Sequence, residues 1–319
     1  MPTLPICLLW RAIGPLRRQG LGPDCTTTVA GGSGLLRFAL PLALLALACT
    51  AGAAAQFGTS VNVVEIYASV TDAKGEPLAG LGPEHFVVFE DGLRQSVDTF
   101  VEGDFPLSVA VAIDRSLSMA GERLAIAKAG ARTFLGELRT GDQSMVIAIS
   151  GRVETVAPLS ADRAGQVGAI DRLDAWSTTA LHDAVVAAID DVQAGTGRRA
   201  LVLLSDGSDR YSQTRAGDVL ARARASDVMV YPVALGRSRP GLFAEIAAAT
   251  GGRSFHARNR AALDDAMRQI ARELRHQYLL GYSPTRSVAE GRGEWRTIRV
   301  QVNGVPGARV RARDGYVND

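Results

Sequence analysis

Cysteine is confined to the first 50 residues. Cys7, Cys25 and Cys49 are followed by none. The rest of the chain can form no disulfide and do no thiol chemistry, and its length supplies a core without such staples. Histidine is scarce as well. His85, His182, His256 and His276 stand apart, without the His-Glu-x-x-His spacing of zinc proteases. No Gly-x-Ser-x-Gly turn and no phosphate-cradling Gly-rich loop occurs, which removes two further catalytic patterns. An excess of one charge is missing too. Lys and Arg total 35 and Asp and Glu 33, so the net charge of +2 gives no reason to invoke nucleic acid.

A long apolar run occurs once, near the start. Arg37 precedes Phe38–Ala48, and small residues follow up to Ala53-Ala54-Ala55. A basic residue, an apolar core of about ten residues and an Ala-x-Ala site read as a secretory signal. The same residues admit a membrane anchor over 35–55 or a lipid at Cys49. We take 1–55 as a signal or targeting segment, which puts the mature protein in the periplasm or outside the cell. Residues 1–33 show no period. Removing 1–55 takes away four arginines and one aspartate, so the net charge moves from +2 to −1.

Three regions follow. Residues 56–104 lack helical periodicity and read as a small β segment. Val64, Ile66, Ala68 and Val70 form one apolar face, Phe86–Phe89 is a second strand closed by Glu90-Asp91-Gly92, and Gln95–Phe100 is a third. Residues 105–276 alternate strand and helix, which implies a mostly parallel sheet covered on both faces. Strands are expected at 107–113, 144–150, 152–158, 200–205, 228–235 and 253–257. Gly151 leaves no room for a helix between the second and third, so the third runs antiparallel at the edge. Residues 277–319 return to β character, with strands at 277–282, 295–302 and 308–312. The alternating arginines (Arg296, Arg299, Arg309, Arg311, Arg313) read as a solvated face. The terminal segments are each too small to be stable alone, so they are expected to pair as one all-β unit around the inserted α/β region.

Chemistry gathers at strand ends. Leu107–Ile113 is continuously apolar or small and ends in Asp114-Arg115-Ser116-Leu117-Ser118. Ser177-Thr178-Thr179 opens a later helix, and Ala200–Leu204 ends in Ser205-Asp206-Gly207. Open α/β sheets place ligand sites at such ends. Oxygen-only donors suit a hard cation. Ser and Asp before a helix also serve as caps, so capping competes with metal binding for these residues. Trp176 and Tyr211 lie beside the motifs, each readable as a packed aromatic or as a partner contact. Arg115 reads as a guide for an acidic partner or as a solvated charge. Asp183 and Asp209 read as structural or solvated rather than as ligands.

Asp-x-Ser-x-Ser, then Thr, then Asp, in this order and at these positions, resembles the metal-ion-dependent adhesion site of von Willebrand factor type A domains. The flanking segments resemble those of a secreted bacterial subfamily, through Asp72, Gly75, Glu90, Asp91, Gly92, Tyr278, Leu280, Gly281 and Tyr282. The resemblance implies a doubly wound, six-stranded α/β sheet in the order 3-2-1-4-5-6. It implies metal ligation by Asp114, Ser116, Ser118, Thr179 and Asp206, with Mg²⁺ (or Mn²⁺ or Ca²⁺) as the cofactor. The partner would be a protein presenting an Asp or Glu carboxylate, and the function adhesion rather than catalysis. Family members often carry Gly where Leu117 stands. The competing readings are a metal-dependent hydrolase, with Asp114 as nucleophile or ligand and His182 near the site, and a scaffold whose site is vestigial.

Overall fold

The structure is a computed structural model that describes residues 63–103, 105–287 and 289–318. The expected targeting segment, with its three cysteines, lies outside the described residues. Among these residues, no helix is long and apolar enough to cross a membrane.

The central layer is a six-stranded sheet. Its strands are β5 (Leu107–Asp114), β6 (Gln143–Ile149), β7 (Val153–Ser160), β8 (Arg198–Ser205), β9 (Met229–Leu235) and β10 (Phe255–Ala257). They lie in the order β10-β9-β8-β5-β6-β7. All neighbours are parallel except β6 and β7, whose tight turn at Gly151 forces the antiparallel edge strand. Numbered within the sheet, this is 3-2-1-4-5-6, a doubly wound α/β fold.

Strand β5 is buried at every position, and its alternation divides it between two layers. Val109, Val111 and Ile113 pack under α1 (Glu122–Glu137), α2 (Arg163–Asp171) and α6 (Arg260–Arg275). Ala110 and Ala112 meet α3 (Leu181–Val192), in the layer that also holds α4 (Ala216–Arg224) and α5 (Gly241–Ala249). Leu124, Ala127, Ala131, Phe134 and Leu135 of α1 are buried, the stripe that a 3.6-residue period requires. Gly130 lies so close to α6 that a Cβ there would meet the Leu263 side chain at 2.4 Å.

Two four-stranded antiparallel sheets come from the chain's two ends. One has the order β13-β1-β11-β4, built from β1 (Val64–Thr71), β4 (Thr99–Gly103), β11 (Gln277–Tyr282) and β13 (Arg309–Arg311). The other has the order β14-β12-β2-β3, built from β2 (Phe86–Glu90), β3 (Leu93–Gln95), β12 (Trp295–Val302) and β14 (Gly315–Val317). The apolar faces of β1, β2, β11 and β12 close on one core, so the ends form a sandwich. The two stems of the α/β unit are neighbours. β4 precedes β5, α6 leads through His276 into β11, and Gln277 pairs with Gly103.

Three expectations are corrected here. Gln95–Phe100 is not one strand. β3 ends at Gln95 and β4 starts at Thr99 in the opposite sheet, with Asp98 fixing the corner by accepting from the Ser283 N–H at 3.0 Å. The C-terminal segment carries four strands where three were expected: β13 crosses to pair with β1, and β14, which was not anticipated, pairs with β12. The arginine alternation is not wholly solvated. Arg296 is buried against Glu90, and Arg311 pairs with buried Glu273 at 2.6 Å. A charged side chain is buried only with a partner, and these partners are remote in sequence.

Candidate metal centre

The carboxyl ends of β5 and β8 are adjacent, so their loops open on one crevice. Asp114 ends β5 and is fully buried. Its Oδ1 accepts from the Ser116 N–H at 2.9 Å, and its Oδ2 accepts from the Ser205 hydroxyl at 2.6 Å. The Ser116 and Ser118 hydroxyl oxygens are 3.1 Å apart, the first buried and the second exposed. Asp206 is near enough to repel Asp114 electrostatically, and its own Oδ1 accepts from the Ser208 N–H at 2.9 Å.

Thr179 is buried on the third loop. That loop is laced to its neighbours by backbone bonds. The N–H of Trp176 donates to the Arg115 carbonyl at 2.8 Å, and that of Leu117 to the Ser177 carbonyl at 3.0 Å. The N–H groups of Ala180 and Arg210 donate to Ser150 and Thr179. Ser177 holds φ +64, a left-handed conformation that costs energy outside glycine and clusters at functional loops. Gly151 gives it room, since a Cβ there would stand 2.8 Å from the Ser177 hydroxyl.

Capping does not consume these residues. Helix α1 starts after Gly121 with no side-chain cap. The first N–H groups of α3 go to Asp209, whose Oδ1 accepts from Leu181 at 2.8 Å. Asp183 accepts from the N–H groups of Gln213 and Thr214 and ties the following loop to α3. His182 is held in the same network, with Nδ1 3.1 Å from the Thr214 carbonyl and 3.5 Å from Asp209.

The electrostatics favour a cation. Burial, with Asp206 adding repulsion, raises the pKa of Asp114 against the lowering effect of its hydrogen bonds. Among the described residues, no cationic side chain pairs with it directly. Arg123 instead approaches the neighbouring acid: its Nη1 lies 3.7 Å from Asp206 and donates to the Ser118 carbonyl at 2.7 Å. Among the described residues, no group of three or more His, Cys, Asp or Glu is gathered for a metal. Two carboxylates with neighbouring hydroxyls therefore make a hard, oxygen-only donor set, which fits Mg²⁺, Mn²⁺ or Ca²⁺ better than a soft ion.

Sequence reasoning missed Ser205 and Arg123. Ser205 is legible only as the residue before the Asp-Gly at the strand end, and its partner is far away in the chain. Arg123 reads as an ordinary exposed helix residue.

Residues 109–208 match the family model of the von Willebrand factor type A domain. The chain is similar to proximal thread matrix protein 1 from the mussel byssus, with 16% identity and a TM-score of 0.50, covering 58% of this chain and 51% of that one. It is similar to a von Willebrand factor type A structure from Catenulispora acidiphila, with 15% identity and a TM-score of 0.47, covering 82% and 75% of the two chains. It is also similar to the conserved hypothetical protein BatB from Bacteroides thetaiotaomicron, with 20% identity and a TM-score of 0.45, covering 52% and 98%. Likeness at these identities is one of fold. No curated protein shows significant similarity to the chain.

Proposed function

With its α/β unit a von Willebrand factor type A domain, we propose that this chain is a secreted binding module. It holds a divalent cation at Asp114, Ser116, Ser118, Thr179 and Asp206, and through it an acidic residue of a partner protein. The observation that carries this reading is the buried Asp114 carboxylate. It faces a second carboxylate and a hydroxyl pair, and no cation among the described residues is paired to it. A buried charge is paired or coordinates a metal.

The residues divide the work. Ser205 and the Ser116 N–H orient the Asp114 carboxylate. The Ser116 and Ser118 hydroxyls supply neutral donors, so little negative charge reaches the ion directly. Bound Mg²⁺ would keep Lewis acidity toward an outside carboxylate and readily retains water in place of protein ligands. Binding is favoured over catalysis because His182, the histidine nearest these motifs, is tied to Thr214 and Asp209. Secretion rests on Arg37 and the Phe38–Ala48 run.

A thermal titration with Mg²⁺, Mn²⁺ and Ca²⁺ against EDTA tests the reading. At a hundredfold excess over Kd, a ligand of the native state adds about 2.7 kcal/mol, or roughly 5–10 °C in Tm. Asp114→Ala abolishes the rise. A wild type that no divalent ion stabilises, even with a glutamate-containing peptide present, overturns it.

A further inference from the structure

We propose that the edge of the sheet carrying the candidate metal centre recognises an extended acidic protein segment with an apolar side chain beside its carboxylates. This rests on the metal-bridged reading above for one carboxylate and extends it to the rest of the contact.

The first ground is apolar exposure. Large hydrophobic residues that stay exposed among the described residues are Val63, Leu93, Val101, Leu117, Trp176 and Tyr211. Half of these stand on the three loops that hold the candidate ligands: Leu117 at 65%, Trp176 at 43% and Tyr211 at 66% exposure. Leu117 sits between Ser116 and Ser118, so a carboxylate approaching the ion passes its side chain. The backbone of Trp176 is anchored by the bond from its N–H to the Arg115 carbonyl, and its ring lies within cation–π range of two guanidinium groups, Arg115 at 5.4 Å and Arg152 at 5.3 Å. A pre-ordered Trp costs little entropy on binding, and Trp, Tyr and Arg are the types that dominate interface energetics.

The second ground is charge. The topology brings every loop that follows a parallel strand to one edge. The loops around the candidate centre carry Arg115, Arg152, Arg172, Arg210 and Arg215. Those after β9 and β10 add Arg237, Arg239 and Arg258. The acids on the same loops are Asp174, Asp206 and Asp209, and the last is spent on α3. At the opposite edge, Arg139 and Arg253 face Asp142, Asp162 and Asp227, so the imbalance belongs to one end. Arg152, Arg210, Arg237 and Arg258 are exposed and have no ion-pair partner among the described residues. Helices α1, α3, α4, α5 and α6 also begin here, adding the positive ends of their dipoles. The guanidinium fork matches carboxylate geometry, so an acidic chain satisfies groups that the protein itself leaves unpaired.

Selection of random peptides displayed on phage against the immobilised full-length chain, in Mg²⁺ and separately in EDTA, tests the proposal. Enriched peptides are expected to place Asp or Glu next to Leu, Phe, Tyr or Trp. Binding of the best of them should weaken about tenfold in Trp176→Ala and in Arg152→Glu. Tyr211→Ser, at an exposed position, is carried in parallel in case Trp176→Ala perturbs its loop. Retained dependence on Trp176 and Arg152 without any Mg²⁺ effect sinks the metal reading and leaves this face standing. Mg²⁺ dependence that ignores these variants does the reverse. No enrichment, or enrichment of neutral or basic peptides, overturns the proposal. So does self-association, or retention on phosphatidylglycerol vesicles, that Arg152→Glu abolishes, because the face would then belong to a second copy or to lipid.

Discussion

Two carboxylates are buried in this molecule in opposite ways. Glu90, in the sandwich, is surrounded by its own partners. It accepts from Arg296 at 3.1 Å, from the Tyr282 hydroxyl at 2.7 Å and from the Tyr316 hydroxyl at 2.9 Å. Asp114, at the sheet edge, is equally hidden but receives only hydroxyl and N–H groups. The first acid is neutralised by the fold and holds two sheets together. The second is oriented but not neutralised by a cation among the described residues, the feature on which the proposed cation binding rests. Burial alone does not separate the two acids. The presence of an internal counter-charge does.

The largest expected effect breaks the sandwich side of the contrast. Glu90→Gln leaves Arg296 buried without its counter-charge, and removing one partner of a buried pair costs about 3–5 kcal/mol. Urea unfolding should show this loss while the Mg²⁺ response of the α/β unit persists. The next sharpens the other side. Asp114→Asn should abolish the Mg²⁺-dependent rise yet raise the metal-free Tm by about 2–4 °C, on the order of 1 kcal/mol. The amide removes a charge that burial and Asp206 disfavour, and the Ser205 hydroxyl can turn to suit it. A fall in metal-free Tm would mean that Asp114 is satisfied by the fold, and the contrast would fail.

A smaller effect is set by pH. Burial, then the hydrogen bond to Glu90, pushes the Tyr316 pKa up to about 12. The folded state therefore holds that proton more tightly than the unfolded chain, in which the group titrates near 10. The stability gained is complete below about pH 10 and is lost as pH rises through about 12. Urea midpoints should drop across this window, and less so in Tyr316→Phe. The smallest effect concerns Arg123. A half-exposed pair is worth at most about 1 kcal/mol, so Arg123→Gln should tighten Mg²⁺ binding by no more than about fivefold, read by titration calorimetry.

Much of the α/β unit was legible because its signals are local. The β5 run, the α1 stripe and the missing helix at Gly151 each follow from a period or a spacing. The adjacency of Asp114 and Asp206 came from a resemblance, since no local rule orders strands in a sheet. What stayed hidden depends on distant partners. Ser205 meets Asp114 across two strands, and Arg296 points inward because Glu90 waits there, although alternation with apolar residues reads as a solvated face. The break between β3 and β4 was obscured because Ser96 and Val97 suit a strand as well as a corner. Neither Ser177's left-handed backbone nor the exposure of Leu117, Trp176 and Tyr211 follows from composition.

The pairing of β4 with β11 has a mechanical consequence. Tension applied to the two flanks of the described chain enters through β1 and leaves through β14. The stems of the α/β unit are zipped to each other at Gln277 and Gly103, side by side. A pull must peel that zipper open, from Thr99 and Gly281 toward Gly103 and Gln277, before it can stretch anything between the stems. The sandwich thus bears the load, and the edge carrying the candidate centre is held on it as a slack loop is carried by a clasp, keeping its shape while its tether is strained.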